Sequence, residues 1–262
     1  YTTAPAAALI PVPESLDPVV TGPLACAGLT AYTALTSASV RPGGRVAVQG
    51  IGGVGHIAVQ FADAFGYETV AVSRGTDKAA AAHDLGADRF VDATATDPAE
   101  RLRELGGVDV VLATAPSSDA MAAVVDGLRP NGELVAVGAP DEPLSVDVPR
   151  LLGSRLSVRG WSAGHAGDAH EALTAAVAND VRPWTETYPL DEAATAFDDL
   201  TRSEGIDELV RQGENTWPNV FRTARFIPAV EFLQMNRLRV DLMEAMHETM
   251  AEVDVLVSPS FQ

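Results

Sequence analysis

The chain has 262 residues, 47% of them apolar, and a formal net charge of −18 at pH 7. That length and apolar content suit one large domain or two small ones with a proper buried core. The negative charge argues against nucleic acid or an anionic membrane as partner, and the single cysteine, Cys26, excludes an internal disulfide.

Lys78 is the only lysine. An acidic, Lys-poor, Ala-rich chain fits either a high-salt cytoplasm or a GC-rich genome. No stretch has the length and purity of a membrane helix. No cationic region precedes the N-terminal Ala-rich run, so no secretory leader is read and a cytoplasmic location is expected. The sequence opens on Tyr1-Thr2-Thr3 and reads as an entry into the middle of a longer chain.

Residues 1–20 are Pro-rich, an extended connector leading to a helix cap. Residues 23–38 read as a helix of small residues containing Cys26, Thr30 and Tyr32. After the turn signal Pro42-Gly43-Gly44, the run Val46-Ala47-Val48 is a buried parallel strand. Gly50-Ile51-Gly52-Gly53-Val54-Gly55 follows. Val54, Ile57, Ala58, Phe61, Ala62 and Phe65 then recur at helical spacing, and Gly66 ends that helix. Val70-Ala71-Val72 is a second buried strand.

This is a βαβ unit with G-x-G-x-x-G in its first turn, the context that gives the motif meaning. Gly50 permits the tight turn, Gly52 lets the backbone approach a pyrophosphate, and Gly55 brings the helix close to the strand. The unpaired N–H groups of the helix start favour the phosphates. Ile51, Gly53 and Val54 complete the cofactor-binding turn. Where NAD-binding chains carry an acidic residue at the end of the second strand, this one has Ser73 and Arg74, with Lys78 close behind. A guanidinium grips phosphate with two parallel hydrogen bonds, so NADP is favoured over NAD. The alternative is that Arg74 and Lys78 are solvated surface charges, and Asp77 nearby counts on that side.

Further along, Thr76 is placed to cap a helix running to about Leu85 and stopped by Gly86. Phe90-Val91 is a third strand. Asp97-Pro98-Ala99-Glu100 has a capping-box arrangement with Pro at the first helical position. Val108 to Ala113 is a fourth strand, Ala120 to Leu128 a helix, Glu133 to Gly138 a fifth strand and Leu156 to Gly160 a sixth. Residues 167–178 and 191–203 are two more helices. The alternation predicts an α/β fold, a doubly wound parallel sheet of Rossmann type in the order 3-2-1-4-5-6, with ligand at the carboxyl ends of the strands.

Leu24-Ala25-Cys26-Ala27-Gly28-Leu29-Thr30-Ala31-Tyr32, Val48 to His56, Leu85-Gly86-Ala87-Asp88 and Tyr188-Pro189-Leu190 ahead of a helix together resemble the medium-chain zinc-dependent alcohol dehydrogenases. The resemblance covers roughly residues 1–204, with a Rossmann core at about 23–160. It implies a cofactor domain paired with an N-terminal, barrel-like catalytic domain. In that family a zinc held by two Cys and one His polarises the alcohol or carbonyl oxygen while hydride passes to or from nicotinamide. By resemblance, Cys26 is one zinc ligand and Thr30 touches the nicotinamide. Thr114 and Ala115 lie near the adenosine, and Val137 and Gly138 near the nicotinamide amide. The other two ligands and the proton-relay hydroxyl belong to the N-terminal domain, so no catalytic residue is assigned within this sequence. Taken alone, a single Cys is more often a small buried hydrophobe than a ligand. His56 either helps hold the pyrophosphate or is a surface histidine.

Residues 205–262 resemble a C-terminal stretch of the amidase-signature family, through Gly205 to Pro218, Phe226 to Gln234 and Val253 to Ser260. Phe232, Met235, Leu238, Leu242, Met246 and Met250 form a helical stripe, read as core rather than as a binding face. The Gly/Ser-rich nucleophile loop of that family is not in the sequence, so this mainly helical segment carries no amidase machinery. The function expected is hydride transfer between NADP and a small alcohol or aldehyde. The alternatives are a dinucleotide-binding module without catalysis, a fusion product and, remotely, an amidase-related fragment. The uncovered apolar stripe makes self-association an expectation.

Overall fold

The computed structural model of the chain describes residues 9–189 and 192. Pro11–Thr187 forms one compact unit. The helix predicted over 191–203 and the amidase-like segment lie outside the described residues.

The unit opens on α1 (Pro18–Pro23), which passes through a π-helical turn, Leu24–Gly28, into α2 (Leu29–Thr36). The sequence placed this helix at residue 23; it begins five residues earlier. Asp17 accepts the Val19 N–H at 2.8 Å, and Pro18 stands where its missing N–H costs nothing. Pro23 then lies inside, and the helix widens to π geometry immediately after it. Pro18–Thr36 is long and apolar enough, by length and composition, to cross a membrane, which corrects the reading that no segment is. Its Leu24, Ala31, Ala34 and Leu35 are buried, and α2 packs against neighbouring helices of the unit, so it serves as a core helix.

The sheet is built from β1 (Arg45–Gln49), β2 (Glu68–Ser73), β3 (Arg89–Asp92), β4 (Val108–Ala113), β5 (Leu128–Ala136) and β6 (Ser157–Gly160). All its pairings are parallel and the order is β3-β2-β1-β4-β5-β6. The predicted topology is therefore the one found. Between the strands run α3 (Gly55–Ala64), α4 (Ala79–Asp84), α5 (Pro98–Glu104), α6 (Ser118–Val125), α7 (Val148–Ser154) and α8 (Ala166–Ala178).

Side chains alternate across the sheet, so both faces are apolar, as a sheet covered by helices on each side requires. Ala47, Val70, Val72, Val111 and Ala113 pack with Leu102 of α5 and with Met121, Val124 and Val125 of α6. α3 packs on β1 and β2, and α2 lies against α3 and α8. Phe61 on α3 is fully buried and meets Tyr32 edge-on at 5.7 Å.

Three boundaries differ from the sequence reading. Thr76 does not cap α4; its carbonyl closes a turn with the Ala79 N–H, and the helix starts at Ala79 after Lys78. Ser117 caps α6 through the Ala120 N–H, and that helix stops at Val125. Leu128 opens β5 rather than closing the helix, and Gly127 before it lies so close to α5 that a Cβ there would stand 2.7 Å from the Leu102 Cβ. Finally, α7 was not read from the sequence. It is short, begins Val148-Pro149 after Asp147, and contributes only Leu151, partly buried, to the core.

Candidate dinucleotide site

β1 and β4 are neighbours at the point where the strand order reverses, and open α/β sheets bind ligands at the carboxyl ends of the strands there. The glycine turn sits there. Gly50 adopts φ +94° and donates its N–H to the Val72 carbonyl at 2.8 Å. A Cβ on Gly55 would stand 1.8 Å from the Gly50 carbonyl oxygen. The helix can meet the strand this closely only with glycine at that position. Gly52 and Gly53 are different: both are exposed, and a Cβ on either would meet nothing within 4 Å. They border open space in front of α3, whose N-cap residue Val54 supplies no side-chain hydrogen bond to the helix N-terminus. An uncapped helix start facing an open glycine edge fits a phosphate.

Thr114, expected near adenosine, is also part of the turn's support. Its hydroxyl donates to the Gly50 carbonyl at 2.7 Å, with the Gln49 carbonyl at 3.1 Å. The N–H groups of Thr114 and Ala115 point at the same Gln49 carbonyl, at 2.8 and 3.2 Å. Val137 and Gly138, at the end of β5, both donate to the Ala113 carbonyl at 2.9 Å. A Cβ on Gly138 would be 2.7 Å from the Thr114 carbonyl oxygen, so β4 and β5 approach as tightly here as the glycine allows.

At the β2 end, Ser73 is half-buried and Arg74 exposed. Among the described residues Arg74 makes no ion pair, and Asp77 pairs with neither Arg74 nor Lys78. Lys78 reaches back across the mouth, its Nζ donating to the Ile51 carbonyl at 3.2 Å. Sequence reasoning missed Asp92, which holds this loop. Its carboxylate accepts from the Gly75 N–H at 2.8 Å, the Thr94 N–H at 2.8 Å and the Thr94 hydroxyl at 2.7 Å. These bonds, the Thr94 hydroxyl foremost, hold the Asp92 carboxyl below the usual carboxylate range. An Asp closing a strand two residues before a Thr was the available signal.

The surface alternative for His56 does not hold: the ring is buried, and both of its nitrogens are engaged with backbone groups. Nδ1 lies 2.8 Å from the Gly52 carbonyl oxygen, and Nε2 accepts the Trp184 N–H at 2.9 Å. Burial lowers its pKa from 6.5. Nothing in the sequence pairs it with Trp184.

At the far end of the sheet, a cavity of about 660 Å³ opens beyond β6, lined among others by Thr33, Trp161, Ser162, His165 and Asp168. Thr33 organises its wall: its hydroxyl donates to carbonyl oxygens, with those of Leu29 and Ala163 each at 2.8 Å, and accepts the Trp161 indole N–H at 2.9 Å. Thr30 is buried and donates its hydroxyl to the Cys26 carbonyl at 2.9 Å. Cys26 itself is exposed on the π-helical turn. Among the described residues no group of three or more His, Cys, Asp or Glu could hold a metal ion, so these residues do not fit a zinc centre.

Residues 53–178 match the family model described as zinc-binding dehydrogenase. The alcohol dehydrogenase notN of Aspergillus sp. (strain MF297-2) is 36% identical over 200 residues, 76% of this chain and 59% of the relative. An alcohol dehydrogenase of Geobacillus stearothermophilus is 37% identical over 205 residues, 78% of this chain and 60% of the relative. The chain thus spans about three fifths of the length of these curated relatives. Among solved structures, the alcohol dehydrogenase of the archaeon Aeropyrum pernix is similar, with TM-score 0.65 and 33% identity over 74% of this chain and 58% of that one. The comparisons give the amidase-like reading of residues 205–262 no support.

Proposed function

We propose that this chain, whose residues 53–178 match the zinc-binding dehydrogenase family model, is the dinucleotide-binding part of an NADP-preferring alcohol or aldehyde oxidoreductase. The observation that carries the reading is the open edge at Gly52 and Gly53, set on the uncapped start of α3 at the sheet's switch point. Gly52, Gly53 and the first N–H groups of α3 hold the pyrophosphate. Gly50, Ile51, Val54 and Gly55 give the turn its shape. Ser73, Arg74 and Lys78 bind the 2′-phosphate, and the exposed guanidinium of Arg74, which makes no ion pair among the described residues, is available to grip it bidentately. Thr114 and Ala115 border the adenosine. Val137, Gly138 and Thr30 border the nicotinamide. By resemblance to the family Cys26 would be one metal ligand, but the described residues do not complete a metal site, and no step is assigned to a metal here.

A bound nicotinamide dinucleotide supplies the hydride acceptor or donor; the chain's part is to bind and orient it. A small alcohol or aldehyde as substrate follows the names of the relatives. The test is a fluorescence titration with NADPH and NADH. Saturable binding that favours NADPH is expected, and Arg74→Ala should weaken NADPH about tenfold while leaving NADH nearly unchanged. Equal losses for both would remove the phosphate role. A second reading is dinucleotide binding without turnover. Robust alcohol oxidation by the purified chain with added zinc would refute that second reading.

A further inference from the structure

We infer that His56 is a positioning residue for the phosphate-binding turn, and that it ties the shape of that turn to the segment around Trp184. The inference rests on the dinucleotide reading of the site and adds a residue to it.

The hydrogen bonds leave one protonation state. The Trp184 backbone N–H can only donate, so Nε2, at 2.9 Å, must present a lone pair. The ring proton of the neutral imidazole is then on Nδ1 and is donated to the Gly52 carbonyl at 2.8 Å. The same carbonyl accepts the His56 backbone N–H at 3.0 Å. The ring stacks on the Trp184 indole at 4.7 Å and 11°. One buried side chain therefore grips the turn with one nitrogen and the distant segment with the other.

The grip on Gly52 has a geometric consequence. The described peptide bonds are all trans. In a trans peptide the N–H points opposite to the C=O. Holding the Gly52 carbonyl toward the first turn of α3 turns the Gly53 N–H the other way, away from that turn. A phosphate at the open edge would find this donor already oriented. Without His56, the peptide unit keeps only the backbone bond and can rock.

The segment end is equally well held. Gln60, one helical turn after His56, donates Nε2 to the Arg182 carbonyl at 2.9 Å and accepts the Arg182 N–H on Oε1 at 2.9 Å. Residues i and i+4 share a helix face, so His56 and Gln60 together clasp residues 182 and 184. Val181 is buried and donates its N–H to the Ala176 carbonyl at 2.9 Å, which anchors the segment to the end of α8.

The test uses the full chain and three ligands or signals. First, ¹⁵N-resolved NMR of the imidazole should report the Nδ1–H tautomer in the absence of any cofactor. Second, His56→Phe, which keeps a ring against Trp184 but has no hydrogen bonds, should weaken NADPH about tenfold. Binding of adenosine 2′-monophosphate, which lacks the pyrophosphate, should stay unchanged. Third, His56→Gln, whose amide offers both a donor and an acceptor, should recover most of the NADPH affinity. The Nε2–H tautomer, wild-type NADPH affinity in His56→Phe, or an equal loss of both ligands would each overturn the inference. Should His56→Phe fail to fold, the tautomer and the Gln variant still decide it. If wild-type chain binds no NADPH, the dinucleotide reading and the cofactor half of this inference fall together, while the tautomer signal separately decides the clasp.

Discussion

Adding one methyl group at Gly55 and one at Gly52 should separate folding from binding. At Gly55 the new Cβ would lie 1.8 Å from the Gly50 carbonyl oxygen, and real Cβ contacts essentially never fall under 3.0 Å. The difference between those distances means that about 1.2 Å of movement is needed. The obstacle is backbone, not the end of a flexible side chain. Gly50 is held by the Thr114 hydroxyl at 2.7 Å and by its own bond to Val72 at 2.8 Å, so moving it breaks contacts on both sides. Overpacking costs about 1–3 kcal/mol, and a lost buried hydrogen bond about 1 kcal/mol more. The helix-propensity gain of Gly→Ala, at most about 1 kcal/mol, does not offset this. A net loss of about 1–3 kcal/mol corresponds to a fall in Tm on the order of 2–12 °C for a domain of this size. Gly52→Ala meets nothing within 4 Å, so its unfolding free energy should stay within about 0.5 kcal/mol of wild type. Its methyl group, however, projects into the space assigned to the pyrophosphate, and NADPH binding should be lost. Differential scanning calorimetry and a fluorescence titration read the two effects. A Gly55→Ala chain that melts like wild type would refute the geometry of the turn, and a Gly52→Ala chain that binds NADPH normally would refute the placement of the pyrophosphate.

Two further outcomes are expected. His56 has its pKa lowered by burial from 6.5, so below about pH 6.5 the unfolded chain takes up a proton that the folded chain resists. Its contribution is full above that pH and declines as pH falls from there toward the depressed folded value, because an imidazolium would set a second N–H against the Trp184 N–H. The charged or titratable groups on the elements around it are Asp63, Cys26, Tyr32, Glu186, the mutually paired Arg45 and Glu68, and Arg182, paired with Asp180 at 2.8 Å. The urea midpoint of wild type should drop across this window relative to His56→Gln, and parallel curves would refute the assignment. Asp92→Ala should release the Gly75 N–H and loosen the Ser73–Arg74 loop, weakening adenosine 2′-monophosphate several-fold; unchanged affinity would show that the loop holds its shape without Asp92.

The sequence by itself determined the sheet and its order. Val46-Ala47-Val48, Val70-Ala71-Val72 and Val108 to Ala113 are apolar runs bounded by turn residues, and the helices between them carry a 3.6-residue period. Such periods are local, and the right-handed crossover rule turns them into a topology. The glycine spacing was legible for the same reason: φ +94° at Gly50 and the contact at Gly55 leave room for no other residue. Element ends were less legible. Asp17-Pro18 is a sound helix start, but Pro23 reads as a breaker until the π-helical turn after it is seen.

Only the tertiary structure decided what the polar groups do. Thr114 reaches Gly50 across 64 positions, and His56 reaches Trp184 across 128. A sequence pattern reports the period of burial. It does not report which distant donor arrives at a given acceptor, because that depends on how the layers stack. His56 shows the consequence: a histidine at the start of a phosphate-binding helix invites a contact with phosphate, yet the fold fills both its nitrogens with backbone and leaves the phosphate to the turn it holds in place.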